Sequence, residues 1–216
     1  MTLRIETFPA GPAATNAYLV ADDATGDAIV VDAPHAVTAT ILAAARARGW
    51  TVRRIVITHT HWDHVADAAE LRTATGVPLA AHPLARRELE APSGEVGPSP
   101  FPIAPVPQDE ELAEGDTVTV GGHVFRVLHL PGHDPSHIVL MGDADRVLLG
   151  GDVLFPNGHG RTDLPGADEA AMLASLRRLL DLPPETTVYP GHGQPTTIGA
   201  EAAWIRALGA GGRDLG

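Results

Sequence analysis

The sequence predicts an α/β protein in which sheets are sandwiched between helices. Apolar, β-branched segments and helix-forming segments alternate in two successive blocks, strands and a helix and then strands and a helix again. Histidines and aspartates stand repeatedly just after the apolar segments, as they would if the strand ends met along one edge. A length of 216 residues with 44% apolar content suffices for a substantial core, and neither a linker nor a repeat divides it. One domain spanning residues 1–216 is therefore expected.

Residues 17–20 and 28–31 read as a short strand pair around the polar turn 21–27. Residues 36–48 are good helix formers stopped by Gly49, and 52–58 are apolar and β-branched enough for a buried strand. A helix over 65–74 ends at Gly76, followed by a short strand at 78–81 and a short helix at 84–90. Residues 91–107 hold Pro92, Pro98, Pro100, Pro102, Pro105 and Pro107, too many for regular structure, and read as a surface loop or lid. Beyond it 117–120, 123–129, 137–141 and 147–149 are strand-like, which implies a second sheet. An amphipathic helix over 167–180, a buried strand at 187–189 and a closing helix over 198–208 complete the order.

Composition removes several function classes. Fifteen basic residues against 27 acidic ones give a net charge of −12, and no basic run can neutralise successive phosphates, so nucleic acid is a poor partner. Aromatic residues make up only 4% of the chain, which leaves Ala, Val, Leu and Ile to fill the interior. With no cysteine there is no disulfide, no thiolate ligand and no cysteine nucleophile, so any metal must be held by imidazole and carboxylate. The N-terminus has no charged region followed by an apolar one, and no apolar stretch approaches 18 residues; a cytoplasmic protein without a membrane partner is expected.

The densest chemical signal is Thr58-His59-Thr60-His61-Trp62-Asp63-His64, which follows an apolar strand and precedes a helix. His59 and His61 alternate along an extended turn and can face the same way, while Asp63 and His64 at a helix start project toward a neighbouring position. One metal or two can be held there. Such a segment directly after a buried strand is costly to desolvate unless something coordinates it. Three later segments repeat the pattern of strand and then ligand: His133 in Leu130-Pro131-Gly132-His133, Asp152 in Gly150-Gly151-Asp152, and His192 in Tyr189-Pro190-Gly191-His192.

In this order the residues resemble the metallo-β-lactamase superfamily, whose H-x-H-x-D-H motif, later His, bridging Asp and final His they match across nearly the whole chain. The resemblance implies a four-layer αββα sandwich. It implies that His59, His61 and His133 hold a first metal, that Asp63, His64 and His192 hold a second, and that Asp152 bridges them. Asp32 matches a family position near the site that does not ligate. The diiron flavoproteins of the superfamily carry Glu where His61 stands, so a hydrolase is implied. Two divalent ions are expected, zinc first, with iron and manganese accepted by the same donors.

The segment Gly158-His159-Gly160-Arg161-Thr162-Asp163 is similar to the glyoxalase II group, the hydroxyacylglutathione hydrolases, and its single-domain relatives. The implied activity is cleavage of a small thioester or ester by a metal-bound hydroxide oriented by Asp63, with no covalent enzyme intermediate. Arg161 takes the place of a basic substrate contact and can clamp a carboxylate, or else pair with Asp163 within its own loop. The residues after the His192 strand and helix are few, so a chain without the C-terminal helical region that supplies glutathione contacts in full-length members is expected, and His159 replaces their usual Cys. Persulfide dioxygenases with a single iron carry a very similar segment and form the alternative reading, with a lactonase or a β-lactamase on the same fold as others. The expected partner is a small-molecule substrate, and the expected state a monomer or small homo-oligomer. His137 matches a family position that supports the site loop or packs beneath it, while His35, His82, His123 and His129 read as structural or surface and Trp62 and Trp204 as packing.

Overall fold

In the computed structural model, which describes residues 2–93 and 99–208, alternate side chains of β2 (Thr15–Asp22) enter two different cores. Ala17 and Leu19 face one way, toward α1 (Thr38–Arg48) and α3 (Ala68–Thr75), where Ile41 and Leu71 meet them. Tyr18 and Val20 face the other way, toward Phe125, Val127, Leu140 and Leu149 of a second sheet. The far side of that second sheet buries Leu128, Val139, Met141 and Leu148 against Met172, Leu176 and Leu179 of α5 (Glu169–Leu179) and Ile198 and Ile205 of α6 (Ile198–Leu208). The period-2 alternation of buried strands thus yields three apolar layers and four structural ones, the αββα sandwich.

The first sheet runs in chain order through β1 (Leu3–Ala10), β2, β3 (Asp27–Val31), β4 (Thr51–Val56), β5 (Leu79–Ala81) and β6 (Glu110–Glu111). The second contains β7 (Thr117–Val120), β8 (His123–His129), β9 (Ile138–Gly142), β10 (Val147–Gly151), β11 (Thr187–Pro190) and β12 (Thr196–Thr197), ordered β12-β11-β10-β9-β8-β7. β3, β4 and β5 are mutually parallel, as are β10 and β11, so successive loops emerge at the same end. Two backbone bonds join the sheets at that end: Ile138 N–H donates to Thr58 O at 2.9 Å, and Asn16 N–H to Gly191 O at 2.7 Å.

Three strands have no counterpart in the sequence reading. β1 is a half-exposed edge strand, and β6 and β12 are two residues each, held by pairing with β5 and β11. The single helix expected over 65–74 is two pieces, α2 (Trp62–Val65) and α3, because Asp67 leaves the helical path at φ −100°, ψ 5°. Its carboxylate accepts the N–H groups of Ala36, Val37 and Thr38 at 2.9, 2.9 and 3.1 Å, thereby capping α1, which has no side-chain cap of its own. α1 and α3 end at Gly49 and Gly76, both left-handed as expected of helix stops. α4 (Arg86–Glu90) follows a 3-10 turn over Pro83–Ala85. The described residues of 91–107 form no helix or strand, and residues 94–98 of that proline-rich segment lie outside the described residues. Among the described residues no helix is long and apolar enough to cross a membrane.

Candidate metal centre

Four loops at one end of the sandwich carry the seven sequence-predicted ligands, and the fold brings all of them together. His59, His61, Asp63 and His64 follow β4, His133 follows β8, Asp152 follows β10 and His192 follows β11. Donor atoms group as His59, His61 and His133; as Asp63, His64 and His192; and as His59, His64 and Asp152, each set lying within 4.8 Å of one another. Asp152 stands between the first two groups: its Oδ2 lies 3.4 Å from both His133 Nε2 and His192 Nε2, and its Oδ1 lies 3.3 Å from His64 Nε2. Asp63 Oδ2 is 3.2 Å from His192 Nε2 and 3.5 Å from His64 Nε2.

The rear of four of the five imidazoles is engaged, which leaves the other nitrogen pointing inward. His64 Nδ1 donates to Asp32 Oδ2 at 2.8 Å, and His133 Nδ1 to the Arg161 carbonyl at 2.7 Å. His192 Nδ1 donates to the Ala13 carbonyl at 3.2 Å, and His59 Nδ1 contacts Thr58 Oγ1 at 3.0 Å. Such bonds fix the tautomer and raise ligand basicity. Asp32, held by Thr58 N–H and Oγ1–H, supports the site without facing it, as the resemblance implied. His137 accepts the Asp152 N–H through Nε2 at 2.9 Å and so supports the loop that carries Asp152.

The inward atoms lack partners. His59 Nε2, His64 Nε2 and Asp152 Oδ1 are buried without a hydrogen bond, and His61 Nδ1 faces His133 Nε2 at 2.7 Å. Orphaned polar atoms so concentrated are costly unless a cation satisfies them. The charge balance agrees with that requirement. Burial and the neighbouring imidazoles hold His59 well below the ordinary histidine range, and burial with His133 pushes His61 down to about 4. Burial opposes charge on His192 too, yet Asp152 and Asp63 outweigh it and raise that imidazole to about 9. Burial likewise opposes ionisation of Asp63 and Asp152, and the imidazoles around them overcome it and keep both carboxylates ionised. Gly191 makes room for the approach: a Cβ there would strike Asp152 Oδ1 and come within 2.7 Å of His64 Cε1. The donor set, borderline nitrogen and hard oxygen with no sulfur, fits divalent ions such as zinc, iron or manganese.

Arg161 lies outside this cluster. Its guanidinium pairs with Asp163 at 2.8 and 2.9 Å with both side chains 69% exposed, while its backbone carbonyl supports His133. Sequence reasoning missed Thr15, whose hydroxyl donates to Asp63 Oδ2 at 2.6 Å. It also missed Asp134, which accepts from Thr60 Oγ1 at 3.0 Å and from the Ser136 N–H and hydroxyl at 2.6 Å each, so shaping the loop beside His133. Thr15 gives no sequence signal, since it is one hydroxyl among many. Asp134 and Ser136 form an Asp-x-Ser turn next to a ligand, which is a recognisable one.

Residues 10–192 match the Metallo-beta-lactamase superfamily. The chain belongs to this superfamily. Its sequence is 39% identical over 202 residues to an uncharacterized protein of Aquifex aeolicus, covering 93% of this chain and 94% of that one. It is 41% identical over 176 residues to a hydroxyacylglutathione hydrolase of Cereibacter sphaeroides, covering 82% of this chain and 61% of that enzyme. The chain thus spans less than two thirds of the length of the hydroxyacylglutathione hydrolases it matches. Among solved structures, the BLEG-1 B3 metallo-beta-lactamase superposes with a TM-score of 0.86 at 34% identity, covering 93% of this chain and 97% of that one. The di-iron-bound form of TTHA1623 gives 0.74 at 37% identity, covering 91% and 96%. The histidine and aspartate cluster is therefore the metal-binding cluster of a superfamily enzyme.

Proposed function

We propose that this superfamily member is a binuclear metallohydrolase that cleaves a small thioester or ester-like substrate, in the manner of glyoxalase II. One observation carries the reading: two donor groups, each of three side chains, share Asp152 between them. His59, His61 and His133 would hold one ion, Asp63, His64 and His192 the other, and Asp152 both. Divalent ions, zinc foremost, supply Lewis acidity for a carbonyl and lower the pKa of water from about 15.7 to about 7. Asp63 does the protein's share of the proton handling. Thr15 pins its carboxylate, which is held ionised and can accept the hydrogen of the attacking water. Arg161 would bind a substrate carboxylate by exchanging Asp163 for it, a trade between two exposed partners that costs little. Likeness to the hydroxyacylglutathione hydrolases supports a thioester substrate. The partner in this reading is a small molecule in the cytoplasm, met by a monomer or small homo-oligomer.

Elemental analysis of the purified protein, paired with a panel of thioesters, lactones and glutathione persulfide, tests the reading. Two metals per chain and thioester cleavage without oxygen are expected. One iron per chain with oxygen uptake on the persulfide would instead identify the dioxygenase, whose family shares the 158–163 segment. In Asp152→Ala, metal content should fall and turnover should drop by more than the roughly 10–100-fold that loss of a supporting residue costs. Two metals retained at full activity in that variant would end the binuclear assignment.

A further inference from the structure

Beside the turn that carries His61 and Asp63 lies a cavity of about 330 Å³, room for roughly ten groups the size of a water molecule. Its apolar wall consists of Trp62, Val65, Phe101 and Ile103, with the two aromatic rings set edge to face at 5.6 Å. The hydroxyls on the wall are already spent on the protein. Thr60 donates to Asp134 at 3.0 Å, Ser93 to Glu88 at 2.7 Å and Ser99 to the Phe101 carbonyl at 2.5 Å. No arginine, lysine or histidine is among the described residues of the lining, and the one charged group there, Glu88, is acidic. A ligand bearing a carboxylate or phosphate would meet no counter-charge among the described residues of the wall and would lose its hydration, whereas an uncharged apolar group gains the rings. The cavity adjoins the turn that carries the ligands, for Thr60 and Trp62 on its wall alternate in the chain with His59, His61 and Asp63. Trp62 stands in the chain between two of the metal-binding side chains, and its indole also borders a second hollow lined by Pro12 and Ala13. Ala13 is the residue whose carbonyl holds His192.

We propose that this cavity is the acyl subsite, and that the substrate carries an uncharged, apolar acyl group of roughly six to ten non-hydrogen atoms. The inference rests on the hydrolase reading above and narrows its substrate to one class. A hydrophilic hydroxyacyl group would leave the indole and the Phe101 ring idle.

The test uses the metal-loaded protein and thioesters of one thiol with acetyl, hexanoyl and phenylacetyl groups. The expected result is a kcat/KM at least about tenfold higher for hexanoyl than for acetyl. Ile103→Trp, which fills the cavity, should erase that preference, and Phe101→Ala, which widens it, should move the optimum to a larger acyl group. Circular dichroism and melting check that each variant folds. Binding of 2-octanone, an uncleavable analogue, is followed in parallel by indole emission, with Trp62→Phe expected to lose the response. A flat acyl series, or a preference that survives in folded Ile103→Trp, overturns the subsite and leaves the hydrolase standing. Absence of any thioester cleavage with saturable 2-octanone binding at Trp62 supports the cavity as an apolar site and removes the hydrolase reading. Absence of both overturns both.

Discussion

His64 is fully buried, and its fate illustrates how single residues are committed here. Its Nδ1–H donates to Asp32, so Nε2 looks toward Asp63 and Asp152. Asp32 itself sits at φ 61°, uncommon for a residue with a side chain, and is held there by bonds from Thr58. His82 shows the opposite case, an imidazole kept neutral. It is stacked on His129 with ring centroids 4.0 Å apart, and its Nδ1 accepts the Leu84 N–H at the start of the 3-10 turn. Burial first, and His129 second, push it down to about 4. In the unfolded chain it titrates near 6.5. Between those values the unfolded chain binds the proton and the folded chain does not, so stability falls as the pH drops from about 6.5 to about 4. Melting temperatures across that window should show a gentler slope in His82→Asn, which keeps a cap acceptor but does not titrate. Identical slopes would mean that His82 is not the group responsible. The residue types of the metal site were legible because imidazole and carboxylate at these spacings have few other uses. Thr15 was not, since its role depends wholly on which side chain lies across from it.

At the level of elements, Asp67 joins two helices that the chain keeps apart. It breaks α2 from α3 and caps α1 through three N–H groups and the Thr38 hydroxyl, a bond of 3.0 Å. Asp67→Ala leaves those buried donors unpaired and should cost about 2–4 kcal/mol. The measurement is a denaturant titration at unchanged slope. A loss under about 0.5 kcal/mol would show that the helix start is satisfied elsewhere. The helix stops at Gly49 and Gly76 could be read directly, because glycine alone adopts the left-handed conformation at little cost. The break at Asp67 could not, since an aspartate amid helix formers becomes a cap only when another helix start arrives beside it. β6 and β12 were hidden for a related reason: strands of two residues have no periodicity and exist only by virtue of their neighbours.

For the molecule as a whole, the centre ties two sheets together. Four of its side chains follow β4 in the first sheet, and His133, Asp152 and His192 follow strands of the second. On the proposed binuclear reading, ions held across that boundary would stabilise only the folded state, so a chelator should lower the melting temperature by roughly 10 °C and returning the divalent metal should restore it. A melting temperature unchanged in protein verified to be metal-free would show that the ions do not hold the sheets. The sequence by itself determined the candidate ligand types, the alternation that makes two half-buried sheets and the absence of cysteine ligands and nucleophiles, because these depend on residue identity and local periodicity alone. Only the tertiary structure decided that seven separated side chains share one centre, that Arg161 lies paired at the surface, and that a cavity walled in part by Trp62 and Phe101 opens beside the ligand turn. Distances between residues remote in the chain follow from how the layers pack, and packing is a property of the whole fold.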